Sequence, residues 1–62
     1  MQKYAEDLTT HDVILINGEE VILDWLSPMP NDKVHVRGYF VSNGDDFSQV
    51  VNADFIFRVT AG

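Results

Sequence analysis

The sequence predicts an all-β fold: one domain of five short antiparallel strands bent into a small barrel. Three observations carry this. Apolar, β-branched runs recur along the chain, separated by turn signals at the spacing of about 8–12 residues found in small β domains. The turn signals are specific in kind, with Asn-Gly at residues 17–18 and again at 43–44. Helical periodicity is nearly absent; only Tyr4 and Leu8 in "YAEDL" stand at i and i+4.

Residues 1–11 form a polar arm, expected to be extended or irregular, with Tyr4 and Leu8 capping the bottom of the sheet. A single helical turn over "YAEDL" is the alternative. "DVILI" (12–16) is the first strand, apolar on both faces. Ile14, Ile16 and Ile22 are expected to oppose Val13 and Leu15 and to need a cover of their own. Asn17-Gly18 tolerates the positive φ of a type I′ hairpin turn, and "EVILDWL" (20–26) returns with Val21, Leu23 and Trp25 alternating onto one face. "SPMPND" is expected to leave the sheet, because its prolines donate nothing to a ladder and Asn-Asp favours a turn. In "KVHVRGYFV" (33–41), Val34, Val36 and Phe40 point one way with Gly38 between them, and His35, Arg37, Tyr39 and Val41 the other. Gly38 marks a bulge or a close backbone approach. After "SNGDD" come a fourth strand "FSQVV" (47–51), a tight turn "NAD", a last strand "FIFRV" (55–59) and an exposed tail, "TAG". Phe40, Phe47, Phe55 and Phe57 are expected to fill the interior.

A chain of 62 residues without cysteine lies near the lower limit for folding without a disulfide or thiolate metal site. Its core comes from apolar burial alone, or from burial shared with a second copy, so a homodimer is a live expectation. Ten acidic against four basic residues give a net charge of −6. Lys3, Lys33, Arg37 and Arg58 are scattered, which argues against direct nucleic-acid binding and against an anionic membrane surface. The longest apolar run, Val13 to Ile16, is too short to span a bilayer. No charged segment followed by an apolar one opens the chain, so a cytoplasmic location is expected.

The order of strand, hairpin, long strand, short strand, tight turn and final strand resembles a Src-homology-3-like barrel, with "ADFIFRV" similar to its tight turn and terminal strand. The opener "AEDLTTHDVILINGEEVILDWL", about a third of the chain, resembles the lead of small barrel proteins of actinobacterial phages. That lead runs Ala-Asp-Leu, two residues, Gly-Asp, an apolar strand, a Gly turn and a second strand. Here Glu6 is inserted between Ala5 and Asp7, and His11 stands where a Gly would precede Asp12. The resemblance implies a phage protein acting in the host cytoplasm. Peptide-binding Src-homology-3 domains match less well, since only "YAEDL" and Trp25 answer to their aromatic-rich first strand and paired Trp.

Candidate chemistry is sparse. His11–Asp12 has the makings of an oriented general base, but the serines stand in turn contexts without a nucleophile elbow. Asp12 setting a turn is the simpler reading. Two separate histidines fall short of a zinc set, and "NGDDFSQVV" lacks the alternating ligands of a calcium loop. No Gly-rich phosphate loop is present. The expectation is a non-enzymatic protein without metal or cofactor.

The outward residues Arg37, Tyr39 and Val41, taken together with Ile56 and Arg58, have the composition of an interface centre. That face is the expected site for a protein partner or a second copy. The alternative reads Glu19, Glu20, Asp24, Asp45 and Asp46 as an acidic surface that imitates DNA and inhibits a nucleic-acid-binding protein. A third possibility is a virion or scaffold component. A net charge that keeps a small domain soluble is the simpler reading of the acids, which show none of the regular spacing that imitation of DNA requires.

Overall fold

Six strands, one more than the alternation predicts, form a single antiparallel sheet in the computed structural model, which describes residues 1–61. They are β1 (Gln2–Tyr4), β2 (Val13–Ile16), β3 (Glu19–Met29), β4 (Lys33–Phe40), β5 (Asp46–Asn52) and β6 (Ile56–Ala61), in the order β1-β6-β2-β3-β4-β5. The added strand comes from the polar arm. Gln2, Lys3 and Tyr4 pair with Arg58, Phe57 and Ile56, and a 3₁₀ turn over Ala5–Asp7 follows. Ala5 and Leu8 are buried in the core, whereas Tyr4 is exposed. The expected tail is strand through Ala61, and Gly62 lies outside the described residues.

Asn17 and Gly18 both take positive φ, as a type I′ turn requires, and join β2 to β3 with Ile16 opposite Glu19. β3 then runs on through Ser27, Pro28 and Met29, which face His35, Val34 and Lys33 of β4. The expectation that "SPMPND" leaves the sheet is therefore corrected for Ser27–Met29 and holds for residues 30–32, which form the turn into β4. β2 covers β3 only from Glu19 to Ile22, so further along β3 has a neighbour on one side alone. A strand edge tolerates a residue that donates nothing.

The alternation along β3 also breaks. Leu23 faces Gly38 and Trp25 faces Arg37, so Asp24 is an extra residue, a β-bulge. Val21 and Leu23 are buried and Leu26 packs against the core, while Trp25 is 53% exposed on the outer face. The expected sharing of one face by Val21, Leu23 and Trp25 is thus overturned by one inserted residue. Opposite the bulge, Gly38 is buried with its Cα against the Ile22 carbonyl, the close approach its place in the strand predicts.

Ile14, Val21, Leu23, Val34, Val36, Phe57 and Val59 form the core with Ala5 and Leu8; Ile16, Phe40 and Phe47 pack around it. Ile14 and Ile16 therefore face inward and need no outside cover, leaving half-buried Val13, Leu15 and Ile22 outward. Phe55, expected inside, is 49% exposed. It sits just before β6, where its N–H donates to the Asn52 carbonyl at 3.0 Å and its carbonyl accepts from the Ala5 N–H at 2.8 Å.

The sheet does not close as the sequence predicts. After β1 the chain turns and gives the Ala5 and Glu6 N–H groups to Phe55 and Ala53, at the β5–β6 turn, so no strand pairs with the far edge of β5. The sheet nonetheless curls until β5 faces β6. Ile16, Phe47, Gln49, Val51, Phe55 and Phe57 together line an open groove of about 270 Å³.

Candidate functional site

Register places three strands' outward side chains in rows. Met29, Lys33 and Asn52 share one row; Ser27, His35 and Val50 the next; Trp25, Arg37 and Ser48 the third; Ile22, Tyr39 and Asp46 the fourth. Directly opposed residues project to the same side of a sheet, so Trp25, Arg37 and Tyr39 lie together on the outer surface of β3, β4 and β5.

The rows differ in how their polar groups are satisfied. The Lys33 Nζ donates to Asn52 Oδ1 at 2.8 Å, and His35 Nε2 lies 2.8 Å from Ser48 Oγ. Among the described residues the Arg37 side chain makes no hydrogen bond, and the one ion pair is Lys3–Asp12. Beside Arg37 the Trp25 indole is exposed, and Tyr39 is 39% exposed. A free planar guanidinium flanked by two large aromatics supplies apolar area and directional donors at small entropic cost. That is the make-up of an interface centre.

The remaining expected contact residues are elsewhere. The expectation that Ile56 and Arg58 lie beside Arg37 and Tyr39 is corrected, because β2 and β3 lie between β4 and β6. They pair instead with Tyr4 and Gln2 of β1. Val41 is a turn residue past the end of β4, its N–H donating to the Glu20 carbonyl at 3.0 Å. Trp25 is the member sequence reasoning missed. The signal was present in part: Asp24, a carboxylate between apolar residues, and Gly38, read as marking a bulge or close approach.

Among the acids, Glu19, Glu20, Asp45 and Asp46 gather at one end of the sheet, where two hairpin turns meet. The Ser42 hydroxyl donates to Glu19 Oε1 at 3.3 Å and the Thr60 hydroxyl to Glu20 Oε2 at 3.3 Å. Asp24 stands apart at the bulge.

His11 and Asp12 do not form an oriented base. Asp12 is 1% exposed, and its carboxylate accepts from the Thr9 N–H at 2.9 Å and the Lys3 Nζ at 3.2 Å. Burial pushes this carboxyl up; the Thr9 N–H and the Lys3 ammonium outweigh that and hold it below the ordinary aspartate value. The Asp12 N–H donates to the Thr9 carbonyl, so Asp12 ends a tight turn in which His11 takes φ of 77°. His35 and Ser48 meet on an open sheet face and act as a cross-strand polar pair. Among the described residues no three His, Cys, Asp or Glu side chains converge as metal ligands, and no helix is long and apolar enough to cross a membrane. Compared with known families and curated proteins, the sequence matches no family model and no curated relative.

Proposed function

We propose that this chain is a non-enzymatic protein-interaction module whose binding face is the outer surface of β3, β4 and β5, centred on Trp25, Arg37 and Tyr39. The observation that carries it is the exposed Trp25 side chain opposite Arg37, which has no ion-pair partner among the described residues, on one face of the sheet. Trp, Tyr and Arg dominate the energetics of protein interfaces. The curl of the sheet and its strand order support the finer reading of a Src-homology-3-like barrel left open between β5 and β6. With the resemblance of the opener to phage barrels, the partner class is a host or viral protein.

The test is affinity capture from a nuclease-treated actinobacterial lysate at about 50 and about 500 mM salt, using wild type, Trp25→Ala and Arg37→Ala. A protein retained at both salts by wild type and lost by Trp25→Ala is expected, since apolar contact is little screened. Equal retention by all three proteins would remove this face from consideration. A nucleic-acid-binding protein released at high salt would transfer the function to Glu19, Glu20, Asp45 and Asp46.

A further inference from the structure

The two edges of the sheet are unequal. β1 is three residues long and ends in the 3₁₀ turn, which is one way natural sheets blunt an edge. β5 runs seven residues with continuous register against β4, and it carries no Pro, no Lys and no bulge. Asp46, at its start, is the one charged residue on it; from Phe47 to Asn52 none of the usual protections stands in the strand.

Hydrogen bonding fixes which groups this edge offers. The Phe40 N–H donates to the Asp45 carbonyl and the Ala53 N–H to the Asp32 carbonyl. Antiparallel pairs alternate between bonded and non-bonded, so between these two points Phe47, Gln49 and Val51 bond to β4. Asp46, Ser48, Val50 and Asn52 turn their backbone away from it. Their N–H groups, and the carbonyls of Asp46, Ser48 and Val50, face the open side; the Asn52 carbonyl is taken by Phe55. Directly beneath lies the apolar groove of Ile16, Phe47, Val51, Phe55 and Phe57.

We propose that a second copy of this chain occupies the edge, β5 pairing antiparallel with β5 of the partner about a two-fold axis through Gln49. The edge is self-complementary in that register. Ser48 meets the opposing Val50, so outward backbone groups meet outward backbone groups. Phe47 meets Val51 over the groove, and Gln49 meets its own equivalent, whose amide both donates and accepts. Asp46 meets Asn52, so no like charges oppose each other although each copy carries −6. Shifting the register by two residues leaves outward groups unpaired at the ends. The dimer also extends the outer face, the row of Trp25, Arg37 and Ser48 continuing into Val50, His35 and Ser27 of the other copy. This association does not depend on the proposed partner-binding role and is read on the purified chain alone.

Sedimentation of wild type over a concentration series is expected to rise from 7.0 kDa towards twice that mass. Val50→Pro removes an outward donor without touching the β4 ladder and is expected to remain monomeric with an unchanged circular dichroism spectrum. Gln49→Lys and Gln49→Glu, each placing like charges at the axis, are expected to be monomeric alone and to form a mixed dimer when combined. The exposed position of Gln49 keeps this arm informative even if the proline variant fails to fold. A wild type that stays at 7.0 kDa up to about millimolar concentration, or a dimer that both kinds of variant leave intact, overturns the proposal.

Discussion

A side chain at residue 38 has nowhere to go. A Cβ there would collide with the Ile22 carbonyl oxygen and approach the Ile22 carbonyl carbon at 2.9 Å and Leu23 Cα at 3.0 Å, all of them backbone. Gly38→Val is therefore expected to cost at least about 2 kcal/mol, the scale of overpacking in a core, measured by urea unfolding. His11 shows the opposite case. Its φ of 77° strains an L-residue, and His11→Gly is expected to raise stability by about 0.5–1 kcal/mol once glycine's extra chain entropy is subtracted. A lower melting temperature in that variant would mean that the histidine ring makes a contact worth more than the strain. Asp12 ties stability to pH. Its folded-state pKa lies below the unfolded value, so the unfolded chain binds the proton more tightly. The stabilisation is complete above the unfolded pKa of about 4 and is lost as pH falls through the folded value. Asp12→Asn is expected to lower stability at pH 7 by about 1–3 kcal/mol and to flatten part of the acid-side decline.

At the scale of elements, the N-terminal segment is a structural member. Ala5 and Leu8 are core residues, Lys3 holds the buried Asp12, and among the described residues Gln2–Tyr4 is the strand beside the outer edge of β6. Leu8→Ala is expected to cost about 2–3 kcal/mol, and removal of residues 1–8 to abolish cooperative unfolding as followed by circular dichroism. In β3 one residue governs two outcomes. Asp24, inserted opposite Gly38, bends the strand and shifts the alternation so that Leu26 turns in while Trp25 stays out. The proposed interaction face thus depends on the bulge at Asp24.

For the whole molecule, charge and apolar surface are segregated. The β2–β3 and β4–β5 turns carry much of the acid, while the β5 edge between Asp46 and Asn52 is neutral. Raising salt from about 50 to about 500 mM screens the repulsion between two copies of charge −6 without touching the edge contacts. Self-association is accordingly expected to tighten with salt in equilibrium sedimentation. Weakening would point instead to an acidic surface paired with a basic one.

From the sequence alone follow the all-β class, the hairpin at Asn17-Gly18, the inward side of β4 and the crowding at Gly38, since these rest on contacts within one strand or one turn. The outward position of Arg37 and Tyr39 follows in the same way, from a period of two. Tertiary structure decided the rest. β1 formed because β6 had a free side, Pro28 was tolerated because β2 ends early, and Phe55 and Trp25 were exposed by a turn and a bulge. Which strands are neighbours is set by pairing across the whole chain, so only the folded sheet could separate Ile56 and Arg58 from Tyr39 and leave β5 without a partner.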